Sequence, residues 1–204
     1  MNANQIGDAL MKWTIEHSGL ENRGYLGMSR IDECPLVLYR EMLNGRRDGS
    51  WHAHLMCYAG YLWERDIKAR LQAVGLYVPG SECELVADWD ARFRGHTDGT
   101  IEGRLLEIKS THAEKLMRIR SERRLPHQHF SQVQCYMHHG GFAEAIVVYV
   151  ARDTGELWVT SSHAQERVGL SLDEKARGVL AAVDAWGTSG AKAPECTCGR
   201  CVLK

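Results

Sequence analysis

The sequence predicts an α/β protein built on a mixed β-sheet flanked by helices. Three observations support this class: a helical opening segment, a group of short strand-like segments in the middle, and a later alternation of helix, strand and helix. The middle segments are CELVADW, RFRGHTDGTI and RLLEIKS, and an almost unbroken apolar run, AEAIVVYVA, comes later. Such a run is typical of a strand buried on both faces. Elements in this order are expected to form one α/β domain.

Five segments are expected to be helical from their apolar periodicity or their capping residues. We predict helices over residues 3–17, over 54–74 and over 126–138. A further helix is expected in SRIDECPLVLYREML, with Ser29 as its cap and Cys34 inside it. The last is the segment LDEKARGVLAAVDAW, where Ser171-x-x-Glu174 has the pattern of a capping box. The segment ELWVTS is expected to form a hairpin with the β-branched run across RDTG.

Composition limits the class of protein. The chain has 204 residues, of which 44% are hydrophobic and 25% charged, as in ordinary globular proteins. The net charge of -1 excludes a uniformly basic coat but leaves room for a local basic patch. No apolar run has membrane-spanning length and the N-terminus lacks the order of a signal peptide, so we expect a cytosolic protein.

The seven cysteines fall into two groups in the sequence. Cys57, Cys83 and Cys135 lie within apolar patterning and are expected to be small buried residues. Three others crowd into CTCGRC near the C-terminus, after the flexible stretch GTSGAKAP. In a reducing compartment such a group is expected to be thiols or metal ligands.

The stretch GHTDGTIEGRLLEIKS, residues 95–110, contains the first candidate site. If Glu102-Gly103 forms a two-residue turn, the register of the hairpin is fixed. Asp98 then lies directly opposite Glu107, with Cβ atoms about 5 Å apart. Lys109 emerges two residues later on the same face. The spacing alone therefore predicts that two carboxylates and one amine converge.

Such a trio suits metal-assisted hydrolysis of a phosphodiester. Two carboxylates can hold Mg²⁺ or Mn²⁺, which polarises a phosphoryl oxygen and lowers the pKa of a bound water. The lysine can orient that water or stabilise charge on the phosphate. The alternative is the solvated face of a hairpin. The leucines and the isoleucine around Glu107 argue for burial instead, and a buried carboxylate needs a partner or a metal.

The motifs GHTDG, LLEIKS and LPHQHFSQVQCYMHHG, in this order, resemble those of the PD-(D/E)XK nuclease superfamily. Gln132-x-x-x-Tyr136 is similar to the QxxxY motif of RecB-type nucleases. The resemblance spans about residues 25–201 and implies a restriction-endonuclease-like core. It also implies that Asp98, Glu107 and Lys109 are catalytic, and that Gln132 and Tyr136 line the path of the DNA.

The same resemblance implies a set of ligands for Mg²⁺ or Mn²⁺. These are Asp98, Glu107, the backbone carbonyl of Ile108, and Glu64 in the motif GYLWE. Iron–sulfur RecB-like nucleases often have histidine where this chain has Glu64. The alternative role of Glu64 is an ion pair with Lys68, four residues later on the same helix.

The segment SRIDECPLVLYR resembles the opening of CRISPR-adaptation nucleases and their phage relatives, in which one N-terminal cysteine joins three C-terminal ones. The resemblance implies that Cys34, Cys196, Cys198 and Cys201 hold a [4Fe–4S] cluster that joins the N- and C-terminal regions. Zinc is the alternative, since four thiolates also satisfy it, and a tail without metal is a third. We expect one nuclease domain over 1–204 with its core at about 54–186. Regions 1–53 and 187–204 would supply the cysteines.

A basic segment, KLMRIRSERRLP, follows the candidate catalytic strand. Lys115, Arg118, Arg123 and Arg124 are predicted to bind the DNA backbone, which would make binding salt-dependent. No other large basic region is visible, so a single-stranded end is favoured over broad contact with a duplex.

The leading hypothesis is a metal-dependent DNA exonuclease of phage or prokaryotic recombination, repair or CRISPR adaptation. It would work in the cytosol of a bacterium or an infected host, without a membrane, and with DNA and a recombination or CRISPR-adaptation protein as its expected partners. One alternative is a site-specific endonuclease, because restriction enzymes share the D…ExK pattern. Another is a non-catalytic iron–sulfur or zinc DNA-binding subunit, which would tolerate the loss of Lys109.

Overall fold

The computed structural model describes residues 2–19, 23–45, 49–188, 192–198 and 201. The helices among these residues are α1 (Ala3–Glu16), α2 (Pro35–Asn44), α3 (Trp51–Ala73), α4 (Ala113–Glu122), α5 (His127–Gly140) and α6 (Glu166–Asp184). The strands are β1 (Leu26–Gly27), β2 (Glu84–Ala87), β3 (Asp90–His96), β4 (Thr100–Ile101), β5 (Arg104–Thr111), β6 (Glu144–Ala151) and β7 (Leu157–His163). None of the described helices is long and apolar enough to cross a membrane.

The strands form two mixed sheets. One has the order β1-β3-β2 and the other the order β4-β5-β6-β7. In the second sheet β5 and β6 are parallel, while β4 and β7 pair antiparallel at its two sides. The predicted α/β class is confirmed, but the prediction of one sheet missed the division after β3. Gly99 has a φ of +127° there, which glycine adopts without strain and which turns the chain out of the first sheet.

Strand β5 lies between two groups of helices. Leu105 belongs to the main core, together with Leu116 of α4 and Val133 of α5. Leu106 belongs to a second apolar cluster, together with Ile67 of α3. Since successive side chains of a strand point to opposite faces, the odd-numbered residues of β5 face α4 and α5 and the even-numbered ones face α3.

The start of α2 corrects one helix prediction. Ser29 lies in a single 3-10 turn, Met28–Arg30, and does not cap the helix. The helix instead begins at Pro35. Proline is favoured there because its φ is already helical and the first turn has no use for the missing N–H. Cys34 is therefore the residue that precedes the helix and not one inside it.

The start of α6 corrects another. The helix begins at Glu166, so Ser171 lies inside it and the predicted capping box is not formed. The additional first turn is held by tertiary packing, since Gly169 lies directly against the ring of His138 on α5. The predicted apolar face of this helix is confirmed for Leu172, Ala176, Val179 and Leu180, which are buried in the core. It is wrong for Trp186, which lies beyond the helix end at Asp184 and is exposed.

The predicted burial of the isolated cysteines is correct at one position of three. Cys135 is buried in the core, whereas Cys57 on α3 and Cys83 before β2 are exposed. Apolar neighbours in the sequence do not bury a residue when no other element covers its side of the chain.

Candidate active site and thiolate cluster

The hairpin between β4 and β5 fixes the backbone geometry of the candidate site. Glu102 and Gly103 form its two-residue turn, and both have positive φ, 51° and 78°, as a type I′ turn requires. Ile101 pairs with Arg104, which confirms the predicted register. The paired residues end one pair later at Thr100, and the Gly99 carbonyl still accepts a hydrogen bond of 2.9 Å from the N–H of Leu106.

The side chain of Asp98 is held by the backbone of β5. Because the ladder ends before it, Asp98 is not the strand partner of Glu107, and that detail of the prediction is wrong. Its Oδ2 accepts a hydrogen bond of 2.7 Å from the N–H of Ile108. The N–H and C=O of one strand residue point to the same edge of the strand, so the Ile108 carbonyl faces the side of Asp98.

Glu107, Lys109 and Gln132 form a tight hydrogen-bonded group beside Asp98. The Lys109 Nζ lies 2.5 Å from Glu107 Oε1 and donates to Gln132 Oε1 at 2.8 Å. The amide nitrogen of Gln132, from α5, donates to Glu107 Oε1 at 2.9 Å. Glu107 is 2% exposed and Gln132 5% exposed. The solvated-hairpin alternative is therefore wrong for Glu107.

One oxygen of this group has no hydrogen-bond partner. Glu107 Oε2 is buried and, among the residues that the structure describes, accepts no hydrogen bond. A buried carboxylate oxygen left without a partner costs free energy. A hard divalent cation with oxygen ligands is the group that satisfies it, so these residues fit Mg²⁺ or Mn²⁺.

The charges at the site also favour a cation. Burial raises the pKa of Asp98 well above its usual value, and the negative charges of Glu107 and Glu64 raise it further. Burial likewise raises the pKa of Glu107, against the opposing effect of Lys109. Burial alone would lower the pKa of Lys109, but the charges of Glu107 and Asp98 outweigh it and raise that pKa. Negative charge is thus in excess.

Glu64 reaches the site from α3 and is held by Lys68. The Lys68 Nζ donates to Glu64 Oε1 at 2.7 Å, which is the i,i+4 ion pair expected as the alternative role. Burial would lower the pKa of Lys68, but the contact with Glu64 outweighs it and raises the pKa. The charge of Glu64 nevertheless acts on Asp98 and Glu107.

A second contact of Lys68 was not predicted from the sequence. Its Nζ also donates to Glu82 Oε1 at 3.1 Å, and the hydroxyl of Tyr77 donates to the same oxygen. That bond to Tyr77 is the main cause that lowers the pKa of Glu82 to about 2. The Tyr77 ring packs on Gly99, where a Cβ would lie 2.6 Å from it. This group therefore supports the turn next to Asp98.

Tyr136, one turn after Gln132 on α5, is buried at 3% exposure. Its ring packs against Gly95 of β3, where a Cβ would lie 2.6 Å from Tyr136 Cε1. Burial raises the pKa of the Tyr136 hydroxyl, and the charges of Glu107 and Asp98 raise it further. The phenol is therefore uncharged and lies in the field of the carboxylates.

His129 is a neighbour of the site that the sequence interpretation missed. Its Nδ1 is hydrogen-bonded to the Tyr149 hydroxyl at 2.7 Å. Burial, together with the positive charges of Lys109 and Lys115, lowers the pKa of His129 to about 3, so the ring is neutral. It lies three residues before Gln132, and helical spacing could have placed both on one face.

The basic residues predicted to contact DNA lie on or just after α4. Lys115, Arg118, Arg123 and Arg124 are all exposed. Arg124 donates to Glu122 at 3.2 Å, while the charge of Lys115 is close enough to act on His129.

The structure brings four cysteine sulfurs together. The Sγ atoms of Cys34, Cys196, Cys198 and Cys201 lie within 4.8 Å of one another. All seven cysteines are among the described residues, and none of them forms a disulfide. Four sulfurs around a tetrahedral ion at about 2.3 Å would lie about 3.8 Å apart, so the group fits one Zn²⁺ as it stands. Thiolates are equally the ligands of iron–sulfur clusters.

The surroundings favour the thiolate form at Cys34 and Cys196, whereas the side chains of Cys198 and Cys34 raise the pKa of Cys201. Burial raises the pKa of Cys34, but the N–H groups of Thr197 and Leu36 and the thiols of Cys201 and Cys198 outweigh it and lower the pKa to about 6. Backbone N–H groups also lower the pKa of Cys196. The thiolate form is the one that binds metal.

Several solved structures have a similar fold. No protein-family model matches the sequence, and no curated protein matches it significantly. The alkaline exonuclease LHK-Exo from Laribacter hongkongensis is similar with a TM-score of 0.65 at 16% identity, over 83% of this chain and 93% of its own. Its complex with dAMP is similar with the same TM-score and identity, over 85% and 92%.

A phage-related exonuclease from Haemophilus somnus 129PT is similar with a TM-score of 0.54 at 11% identity, over 79% of this chain and 94% of its own. The protein SSO0001 has a TM-score of 0.53 at 17% identity, over 85% and 86%. These likenesses confirm the predicted restriction-endonuclease-like core. The chain therefore shares its fold with the alkaline exonuclease LHK-Exo and with the phage-related exonuclease.

Proposed function

We propose that the protein is a metal-dependent DNA exonuclease that hydrolyses phosphodiester bonds. Its proposed catalytic residues are Asp98, Glu107 and Lys109. The observation that carries this proposal is the buried Glu107 carboxylate, which has one oxygen on Lys109 and Gln132 and the other without a partner among the described residues. A buried arrangement of this kind has no evident structural benefit. It does suit a site that binds a cation.

The proposed ligands of Mg²⁺ or Mn²⁺ are Asp98, Glu107 and the carbonyl of Ile108. Glu64 would be a further ligand if its carboxylate moved away from Lys68, with which it forms an ion pair in the structure. A divalent cation bound there would polarise a phosphoryl oxygen and lower the pKa of a bound water. Its positive charge would also offset the repulsion that raises the pKa of Asp98.

Lys109 is proposed to stabilise the negative charge that develops on the phosphate. The neighbouring carboxylates keep its amine protonated, because they raise its pKa. Gln132 is proposed as a positioning residue, since its amide contacts both Lys109 and Glu107 and fixes their separation. Tyr136 supports it from the next turn of α5, where its ring packs on β3.

DNA is the proposed substrate. Two of the similar structures are named as exonucleases, and one of these proteins was solved with dAMP, a deoxynucleoside monophosphate. The exposed Lys115, Arg118, Arg123 and Arg124 are proposed to contact the phosphates of a single-stranded or linear end. A role in recombination, repair or CRISPR adaptation, with a protein partner from that pathway, is proposed from the motif resemblance.

The four thiolates are proposed to hold a metal that joins the two ends of one nuclease domain. The metal would tie the residue before α2 to the C-terminal tail and would add stability without taking part in the reaction. The motif resemblance favours a [4Fe–4S] cluster, and the spacing of the sulfurs favours a single zinc ion. Absorption near 400 nm in anaerobically purified protein supports the cluster, whereas stoichiometric zinc without that absorption overturns it.

One assay tests the activity and separates it from its alternatives. Anaerobically purified protein is incubated with end-labelled linear DNA and with circular DNA, with Mg²⁺, with Mn²⁺ and without either. We expect metal-dependent release of mononucleotides or short products from linear DNA only. Discrete cleavage of circular DNA would identify an endonuclease. Binding of DNA without cleavage in any metal would identify the non-catalytic subunit.

A further inference from the structure

A groove with a volume of about 670 Å³ lies between α4 and β7, outside the candidate active site. One wall comes from α4 and its C-terminal end, and the other from one short segment of β7. The lining residues are Met117, Arg120, Ser121, Arg123, Trp158, Val159 and Thr160. The wall on α4 is basic, and the wall on β7 carries an indole ring and a hydroxyl.

Strand register places this groove on the face of the sheet that carries the catalytic residues. Lys109 is paired with Tyr149, and Tyr149 is paired with Trp158. Thr160 is related to Glu107 in the same way, because one residue of β6 pairs with Glu107 on one side and with Thr160 on the other. Paired residues share a face and neighbouring strands are about 4.8 Å apart, so Trp158 lies about 10 Å from Lys109 along the sheet.

The indole ring of Trp158 is positioned but not fully covered. It packs on the Tyr149 ring with centroids 5.6 Å apart, and Tyr149 in turn packs on His129. One side of the indole therefore rests on the core, and Trp158 is half-buried beside the groove. A ring fixed in this way can accept a flat group on its remaining surface without losing much side-chain freedom.

The charges of the groove indicate a polyanionic occupant. Arg120 is 60% exposed and bonds Glu156 at 3.1 Å on the outer side, and Arg123 follows the end of α4. Guanidinium groups beside an exposed aromatic ring are the combination that binds single-stranded nucleic acid, with the ring stacking a base and the cations holding phosphates.

We propose that this groove binds a single-stranded segment of the DNA substrate, with a base stacked on Trp158 and phosphates on Arg120 and Arg123. The inference deepens the proposed nuclease function and rests on it for the identity of the ligand. It adds a binding site about 10 Å along the sheet from Lys109, which would hold the strand beyond the bond that is cut.

The test measures binding rather than cleavage. Fluorescein-labelled (dT)12 is titrated with anaerobically purified protein without added divalent metal, and the dissociation constant comes from anisotropy. We expect Trp158→Ala to weaken binding about tenfold and Trp158→Phe to stay within about threefold of wild type, because any aromatic ring can stack a base. The matched control is Trp186→Ala, which removes an exposed indole elsewhere.

A second measurement uses surface arginines, whose loss leaves the core intact. The variant Arg120→Gln/Arg123→Gln is expected to reduce the slope of log K against log salt by about 1.4, since each phosphate contact on a single strand contributes about 0.7. The control Arg40→Gln, exposed on α2, is expected to leave the slope unchanged.

Three results would overturn the inference. The first is a Trp158→Ala variant that binds (dT)12 as wild type does, and the second is an unchanged salt slope in the double arginine variant. The third is a Trp158→Ala variant that loses as much affinity for a blunt duplex as for (dT)12. That result would show that the groove does not bind single-stranded DNA specifically. If wild type binds through Trp158 but cuts no DNA, the groove stands and the exonuclease proposal fails. If Trp158→Ala does not fold, the salt slope decides alone.

Discussion

The candidate active site and the thiolate cluster both gather metal-binding residues, but the chain assembles them in opposite ways. The first takes Asp98, Glu107 and Lys109 from one hairpin, whose turn and strand register bring them together. The second takes Cys34 from the segment before α2 and joins it to cysteines of the C-terminal tail. Local geometry therefore builds one site, and closure of the whole chain builds the other.

The two sites also differ in what they do without a metal. At the active site, burial and like charge raise the pKa values of Asp98 and Glu107, so the empty arrangement of carboxylates is unfavourable. At the cluster, the neighbouring thiols and N–H groups lower the pKa of Cys34 to about 6 and favour the form that binds metal. The difference agrees with the two roles proposed above, a catalytic metal at the carboxylates and a structural metal at the cysteines.

The largest expected effect on stability comes from the cluster. Cys34→Ser should abolish metal binding by the thiolates and lower the free energy of unfolding by several kcal/mol, since structural zinc contributes about 10 kcal/mol or more in small domains. Metal analysis and denaturant unfolding check this. The control Cys57→Ser changes an exposed cysteine outside the cluster and should alter neither quantity. Full metal content in Cys34→Ser would remove Cys34 from the ligand set.

The next effect tests how the core supports the active site. Gly95→Ala places a Cβ 2.6 Å from the Tyr136 ring, so α5 must shift and take Gln132 with it. We expect a loss of about 1–3 kcal/mol in the free energy of unfolding and reduced activity. Gly178→Ala on α6 meets nothing within 4 Å and should be neutral or stabilising. Equal stability of the two variants would contradict this expectation, because it would show that α5 can move away from the added methyl group without cost.

A smaller effect of opposite sign is expected at Asp98. Asp98→Asn keeps an oxygen for the Ile108 N–H but removes a charge that Glu107 and Glu64 repel. The metal-free protein at pH 8 should become more stable by about 1 kcal/mol or more, because one pKa unit corresponds to about 1.4 kcal/mol. Stabilisation by Mg²⁺ should disappear. Asp88→Asn, at an exposed position, is the control; a destabilised Asp98→Asn would contradict the strain argument.

The pH dependence should separate the two sites further. The pKa values of Asp98 and Glu107 lie above their ordinary values of 3.8 and 4.5 in the folded state, so the unfolded chain releases these protons first. Without metal, their contribution to stability therefore falls as the pH rises above about 4 towards the raised values. Saturating Mg²⁺ should oppose this fall, and the increase in Tm that it causes should grow with pH as the two carboxyl groups lose their protons. An increase in Tm that is the same at every pH would contradict the raised pKa values of Asp98 and Glu107.

Sequence reasoning predicted what depends on local geometry. The turn at Glu102-Gly103 and the pairing of Ile101 with Arg104 follow from a two-residue loop. The ion pair of Glu64 with Lys68 follows from helical spacing, although its competition with metal binding does not. The order of the nuclease motifs was sufficient to predict the fold that the similar structures share.

The parts that the sequence did not predict depend on tertiary contacts. The Tyr77 ring packs against Gly99 at the end of the ladder, and Asp98 accepts from the N–H of Ile108 and does not pair with Glu107. The groove at Trp158 requires the pairing of β6 with β7 and of β5 with β6, which no spacing within one segment reveals.

The most direct test of the account concerns Lys109. Wild type and Lys109→Met, which keeps most of the side-chain stem, are compared on linear DNA at saturating Mg²⁺, with the exposed Lys12→Met as control. Lys109→Met is expected to fold and to bind DNA but to cut it about 100-fold more slowly or worse, because a cation that stabilises the transition state is lost. Cleavage by Lys109→Met at the wild-type rate would contradict it.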